Sequence, residues 1–136
     1  MRTTNAQEMS GDSGKIGPLW NQFMQGGPES IPGVTDPDAI YAVYHDYESD
    51  ASGAYDLTLG KSVHPEAPAP EGMSRIHIPT ARYLVFTADG NSPEEIMAAW
   101  RSVYDYFDGQ MEQRRAFTFD FEQYSPAGIE LYIAIT

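Results

Sequence analysis

The sequence predicts an α+β fold built from two copies of a strand–helix–strand–strand unit. Two segments carry the apolar stripe of a helix, strands of alternating polarity lie between them, and the order of these elements repeats along the chain. We expect one antiparallel sheet with pseudo-two-fold symmetry, two main helices and a central cleft. The 136 residues then form a single domain, with repeats at about 1–61 and 75–136 and a proline-rich connector at 62–74.

The first repeat contains one predicted helix and one predicted hairpin. Asp12 or Ser13 can cap the helix, and Gly26 and Gly27 end it. A strand from about Ile40 to Glu48 follows, and its partner runs from Tyr55 to Gly60. The helix is recognised by apolar residues that recur on one of its faces, namely Ile16, Leu19, Trp20, Phe23 and Met24.

The second repeat has the helix with the clearest boundaries. It is preceded by a strand over Ala81–Thr87. Ser92 is the predicted N-cap, Pro93 takes the first helical position, and Glu95 completes a capping box. Asp108 closes the helix. Its apolar stripe consists of Ile96, Trp100, Val103, Tyr104 and Phe107.

The chain ends in a hairpin with a Ser-Pro-Ala-Gly turn at 125–128. If this turn pairs Tyr124 with Glu130 and Glu122 with Tyr132, carboxylates and phenols interleave on one surface. We expect the other surface to hold the sheet against the helices, through two alternating sets of apolar residues: Phe117, Phe119 and Phe121, and Ile129, Leu131, Ile133 and Ile135.

The two repeats can be aligned residue by residue. Ile16 and Trp20 match Ile96 and Trp100, and residues 55–59 match 129–133. Residues 46–48 match 120–122, which makes Glu48 the predicted equivalent of Glu122.

Composition excludes several classes of function. The net charge of −12 opposes a phosphate backbone, so we expect no direct nucleic-acid binding and a cation rather than an anion as ligand. No cysteine is present, so thiol chemistry is excluded. Without a membrane-length apolar run or a signal peptide, we expect no membrane partner and a cytoplasmic location. The spacing of His45, His64 and His77 indicates no metal site, and no cofactor is expected.

An ordered set of segments resembles a known family. The segments are 3–9, 16–20, 41–44, 46–50, 78–86, 120–124 and 129–133. Together they resemble the gyrase-inhibitor-like (GyrI-like) small-molecule-binding superfamily, which includes the effector-binding domains of AraC-type and multidrug-responsive regulators. The chain is most similar to the stand-alone effector-binding proteins found on integron gene cassettes. The family usually begins with a full strand, whereas this chain starts almost on residues 3–9, so the first half of the sheet can lack an edge.

The resemblance implies a central pocket for lipophilic cations, with a buried glutamate among aromatic side chains. That glutamate maps onto Glu122. The predicted ligand-binding residues are Glu122, Tyr124, Tyr132, Trp100, Trp20, Tyr44 and Tyr83. No catalytic residue is assigned under this interpretation. The structural alternatives are a solvated carboxylate for Glu122 and core packing for the two tryptophans.

Two other functions stay open. Some members of the superfamily hydrolyse reactive electrophiles, which would make Glu122 a general base and a tyrosine the proton donor. The acidic surface could instead bind a basic protein. A homodimer or a regulatory protein partner is compatible with both of these functions. No helix-turn-helix segment precedes the predicted domain, so we expect no DNA contacts of its own.

Overall fold

The computed structural model describes residues 1–11, 14–109 and 112–136. The strands are β1 (Arg2–Thr4), β2 (Ile40–His45), β3 (Ala54–Gly60), β4 (Arg82–Thr87), β5 (Asp120–Ser125) and β6 (Gly128–Ile135). The helices are α1 (Asn5–Glu8), α2 (Ile16–Gln25) and α3 (Pro93–Phe107), with a 3₁₀ turn at Pro28–Ser30. None of the helices in these ranges has the length and apolar character needed to cross a membrane.

The six strands form one antiparallel sheet in the order β1-β3-β2-β5-β6-β4. The first half of the chain supplies β1, β3 and β2, and the second half supplies β4, β6 and β5 in the equivalent positions. Strands β2 and β5 pair at the centre, where Ala42 lies opposite Glu122. The predicted α+β fold and its duplication are therefore confirmed. The short β1, with three residues, completes the edge of the first half by pairing with β3.

The register of the final hairpin differs from the prediction by one residue. The turn pairs Ser125 with Gly128, so Glu122 lies opposite Leu131, and Tyr132 lies opposite Phe121. Directly paired residues project to the same face of a sheet, and a shift of one residue exchanges the faces. The predicted pairing of Glu122 with Tyr132 is wrong. Glu122 instead shares a face with the apolar residues of β6.

The hydrophobic core lies between this face of the sheet and α3. Its buried members are Ala88, Ala99, Val103, Ile129, Leu131 and Ile133. The predicted apolar face of β6 is thus confirmed for these residues. Phe121 lies on the opposite face, where its ring stacks on that of Tyr132 with centroids 4.6 Å apart. The expectation that Phe121 holds the sheet against the helices is wrong, because the register turns it away from them.

The helix boundaries agree with the sequence, and the start of α2 is capped by a residue from outside that helix. Ser92 and Glu95 form the predicted capping box of α3, and Asp108 ends it. Asp12 and Ser13, the predicted caps of α2, lie outside the described residues. The Glu8 carboxylate accepts hydrogen bonds from the backbone N–H groups of Lys15 and Ile16, both at 3.0 Å. Glu8 therefore supplies the acceptor at the start of α2.

The first hairpin is not aligned with the second in the predicted way. Strand β2 ends at His45, so Glu48 lies in the exposed loop between β2 and β3. The central pairing of Ala42 with Glu122 instead makes Ala42 the symmetry equivalent of Glu122. The prediction failed because this loop is longer than the two-residue turn of the second hairpin, and a gap-free alignment cannot represent the difference.

Candidate functional site

Glu122 is buried at the centre of the sheet, with 3% of its surface exposed. The hydroxyl of Tyr44 and the indole N–H of Trp100 both donate to its Oε2 atom, at 3.0 and 2.6 Å. The hydroxyl of Tyr124 donates to Oε1 at 2.6 Å. Three of the predicted site residues therefore meet at the carboxylate of a fourth.

Each of these side chains comes from a different part of the fold. Tyr44 belongs to β2, Trp100 to α3, and Tyr124 lies two residues beyond Glu122 on the same face of β5. The ring of Trp20 in α2 makes a T-shaped contact with that of Tyr124, with centroids 5.0 Å apart. The strand period of two and the helix period of 3.6 bring these positions together across the layer between sheet and helices.

The site is symmetric in its aromatic residues and asymmetric in its charge. The symmetry that exchanges Ala42 with Glu122 also exchanges Tyr44 with Tyr124, each two residues further along its strand. The same sequence offset relates Trp20 to Trp100. The two halves therefore contribute matching aromatic residues, while the carboxylate has only an alanine as its counterpart.

The environment of Glu122 favours its protonated form. Burial raises the pKa of Glu122, and the hydrogen bonds from Tyr124, Trp100 and Tyr44 lower it by less, so the net shift is upward. Burial and the neighbouring Glu122 charge also raise the pKa of Tyr44 well above its usual value. All three donors to the carboxylate are neutral, and none of the ion pairs within the described ranges includes Glu122.

A second buried carboxylate, Asp120, provides a contrast on the same strand. It is 0% exposed and accepts hydrogen bonds from Arg115 Nη2 at 2.8 Å, the Tyr47 hydroxyl at 2.5 Å and the Ala134 backbone N–H at 2.9 Å. Its charge is therefore compensated by the guanidinium of Arg115. That guanidinium also lies 4.3 Å from the centre of the Phe117 ring. Asp120 therefore belongs to a buried structural ion pair with Arg115, whereas Glu122 has no cationic partner among the described residues.

Sequence reasoning missed Tyr55, which extends the aromatic surroundings of the site. Tyr55 is buried, and its ring centroid lies 5.5 Å from that of Tyr44. The alternation of β3 contains the signal, because Tyr55, Leu57 and Leu59 fall on one face. Arg115 could not have been found in this way, since it lies outside the regular strands.

Two predicted residues lie on the other side of the sheet. Tyr132 pairs with Phe121, and Tyr83 pairs with Ala134, so both project away from Glu122. Their rings contact each other at 6.3 Å, and Tyr83 contacts Phe121 at 5.5 Å. The prediction that Tyr132 shares the face of Glu122 is wrong, and the one-residue difference in register is the reason.

Aromatic side chains occupy the position predicted for the cleft. A depression of about 300 Å³ lies beside α2, and its lining includes Lys15, Leu19 and Gln22. A second, of about 270 Å³, lies beside β4 and α3 and includes Asp89 and Glu95. Glu122 lines neither of them. In this conformation the carboxylate is enclosed by Tyr44, Trp100 and Tyr124.

Comparison with known proteins identifies the family. Residues 1–135 match the family model described as integron-associated effector binding protein, Cass2. The chain belongs to this family. The crystal structure of the integron cassette protein VCH_CASS2, from the mobile metagenome of Vibrio cholerae, superposes with a TM-score of 0.79 at 31% sequence identity. The alignment covers 100% of this chain and 86% of that one.

Two curated relatives connect the family to regulators. The chain is 29% identical over 143 residues to Bacillus subtilis (strain 168) YobU, which is described as a candidate transcriptional regulator, and covers 87% of it. It is 29% identical over 129 residues to the transcriptional regulator BrlR of Pseudomonas aeruginosa and covers 46% of that protein. Membership of an effector-binding family, together with these regulators, supports a small-molecule-binding role for this chain.

Proposed function

We propose that this protein binds small lipophilic molecules, cationic or aromatic, at Glu122 and the aromatic residues around it. The observation that carries the proposal is a buried carboxylate whose hydrogen-bond donors are all neutral. An uncompensated charge in a low-dielectric interior is costly, so Glu122 either takes up a proton or gains from a positively charged ligand. The net charge of −12 also attracts cations.

The aromatic residues supply the second part of the recognition. Trp100, Tyr44 and Tyr124 lie in direct contact with the carboxylate, and Trp20 packs against Tyr124. Each ring face that meets a desolvated cation contributes about 0.5–2 kcal/mol. Neutral aromatic ligands would gain the stacking without the charge interaction. The site therefore favours cations over neutral molecules of the same shape.

Access to the carboxylate requires aromatic side chains to move, and α2 is the element most able to do so. None of the residues of α2 is fully buried, although Trp20 reaches Tyr124. Helix α3, by contrast, buries Ala99 and Val103. A ligand would displace Trp20 and α2 at a lower cost than it would displace Trp100. Elements with few buried apolar contacts open most readily.

The test compares two ligands of similar shape and different charge. A tetraarylphosphonium cation and a neutral triarylphosphine oxide are titrated against the protein, with tryptophan fluorescence as the signal. Replacing Glu122 by Gln removes the charge and keeps the size of the side chain. Loss of a charge-assisted contact worth about 1.5–3 kcal/mol should weaken binding of the cation by roughly 10- to 150-fold. The affinity for the neutral ligand should change by less than about threefold.

Asp89→Asn is the matched control, because this exposed carboxylate lines a depression that does not include Glu122. Like Glu122→Gln it removes one negative charge, but it should leave the affinities for the cationic and the neutral ligand unchanged. Equal weakening of the two ligands by Glu122→Gln would refute the electrostatic part of the proposal. Equal weakening of the cation by both variants would refute the role of the buried site.

A second function, hydrolysis of a reactive electrophile, rests on the 2.6 Å hydrogen bond between Tyr124 and Glu122. Burial raises the pKa of Glu122, which makes its carboxylate a stronger base than a solvated carboxylate. Burial raises the pKa of Tyr124, which makes its hydroxyl a weak proton donor, so we rank this function second. Incubation with epoxide substrates tests it: turnover abolished in Glu122→Gln supports hydrolysis, and unchanged substrate contradicts it.

A further inference from the structure

On the face of the sheet opposite Glu122, three potential metal ligands meet. They are His45 at the end of β2, Asp46, which follows it in the chain, and Asp56 on β3, which pairs directly with His45. One ligand atom from each lies within 4.8 Å of the others. The sequence spacing gave no reason to expect this, because only strand pairing brings Asp56 to the histidine.

The histidine is held in the orientation that a metal ligand needs. Its Nε2 atom is 2.8 Å from the hydroxyl of Thr58, and its ring stacks on Phe119. The Nδ1 atom is therefore the one that faces the carboxylates, and it lies 2.8 Å from Asp46 Oδ2. Metal-binding histidines commonly use their second ring nitrogen in this way, since the hydrogen bond fixes both ring orientation and tautomer.

The backbone also brings the acidic ligand into position. Asp46 has φ of 50°, in the left-handed region that few residues other than glycine adopt. This conformation turns the chain out of β2 and carries the carboxylate back to His45. The Asp46 side chain is 68% exposed, whereas that of His45 is 9% exposed. The cluster thus has a fixed inner ligand and an outer side open to solvent.

The cluster already interacts with a positive charge from its own chain. Arg2 Nη1 lies 3.1 Å from Asp56 Oδ1 and donates to the backbone oxygen of Asp46 at 3.0 Å. Its side chain is 47% exposed and can swing away into solvent. Arg2 therefore neutralises part of the acidic charge and would have to leave Asp56 before a metal ion could bind there.

From this geometry we infer that His45, Asp46 and Asp56 form a binding site for a divalent transition metal of the Zn²⁺ class. One imidazole nitrogen and two carboxylate oxygens suit Zn²⁺, with water completing its coordination. Ca²⁺ and Mg²⁺ prefer sites made only of oxygen. Arg2 competes with the metal for Asp56. The site lies across the sheet from Glu122 and does not depend on the proposed function.

The test is calorimetric titration of the tag-free protein with ZnCl₂ alone, near neutral pH. We expect one saturable site, weakened at least about tenfold in His45→Gln and Asp56→Asn. Arg2→Ala removes the competing charge that lies 3.1 Å from Asp56 Oδ1 and should tighten binding about tenfold. His77→Gln is the control and should leave the affinity unchanged, because His77 is exposed and lies between the connector and β4.

Asp46→Asn guards against loss of the fold, because its side chain is exposed and asparagine also tolerates a positive φ. This variant should keep the melting temperature and lose metal affinity. Metal-dependent shifts of the His45 ring resonances, centred on Nδ1, would support direct ligation. The inference is overturned by the absence of saturable binding up to about 1 mM zinc. It is overturned equally if His45→Gln binds as well as the unmodified protein, or if His77→Gln loses as much affinity as His45→Gln.

Discussion

The hydrogen bond from Trp100 to Glu122 offers the sharpest test of the site. Trp100→Phe removes the N–H group that lies 2.6 Å from Oε2 and keeps an aromatic ring in the same place. Hydrogen bonds to charged groups contribute about 1.5–3 kcal/mol, so the buried carboxylate should lose roughly 2 kcal/mol of stabilisation. The smaller ring adds a packing cost, which must be separated from this value.

A double-mutant cycle with Glu122→Met makes that separation. Methionine fills a similar volume and removes both carboxylate oxygens, so Trp100→Phe in that background measures the packing cost alone. Urea unfolding, followed by circular dichroism at mildly alkaline pH, gives the four free energies. We expect a coupling energy of about 2 kcal/mol, within the range found for residues in contact.

Trp20→Phe provides the matched control. Trp20 contacts the ring of Tyr124 and donates no hydrogen bond to Glu122, so its cycle with Glu122→Met should give a coupling close to zero. Changes that add within about 0.5 kcal/mol for Trp100 and Glu122 would refute the reasoning. The same is true if the two tryptophans couple to Glu122 equally.

Three further predictions concern charge. Folding raises the pKa of Glu122 above its unfolded value of about 4.3, so the protonated carboxyl stabilises the folded state. This contribution is complete below the unfolded pKa and is lost as pH rises through the folded pKa. Relative to Glu122→Gln, the protein should therefore lose stability with rising pH in urea unfolding, and two parallel stability profiles would contradict this. Burial raises the pKa of Glu8, but its hydrogen bonds outweigh that effect and lower it. Glu8→Gln should cost about 1 kcal/mol at neutral pH, and the difference should disappear in acid as Glu8 is protonated. A difference that stays constant with pH would exclude the negative charge of Glu8 as its source. Arg115→Met leaves Asp120 buried without its cation and should cost about 3–5 kcal/mol by chemical denaturation, whereas Arg115→Met combined with Asp120→Asn should recover part of that loss; no recovery would mean that packing dominates.

Local signals determined the elements of this fold. The capping box of Ser92 and Glu95 fixed the start of α3, because its hydrogen bonds form within one helical turn. The matched tryptophans indicated the duplication, which the order of the strands confirms. The family resemblance singled out Glu122, and the alternation of β5 placed Tyr124 on the same face. These inferences needed only neighbouring residues or their periodicity.

Tertiary structure decided which face of each strand became the interior. The two-residue turn of the final hairpin sets Glu122 opposite Leu131, and this pairing carried Tyr132 and Phe121 to the other side. Sequence alternation fixes which residues share a face but not which face is covered, because the latter depends on the register with the neighbouring strand. Only the assembled sheet therefore decided that the face of Glu122, and not the face of Phe121, is the one covered by the helices.

Contacts between distant parts of the chain were also beyond the sequence. Glu8 caps α2 from the preceding helix, and Arg115 neutralises Asp120 from an irregular segment. The meeting of Tyr44, Trp100 and Tyr124 at one carboxylate requires the two halves of the sheet to pair through β2 and β5. The sequence by itself determined the elements and their duplication, and the family resemblance singled out Glu122. The tertiary structure decided what surrounds that carboxylate, since burial and compensation of charge arise only when separate segments pack together.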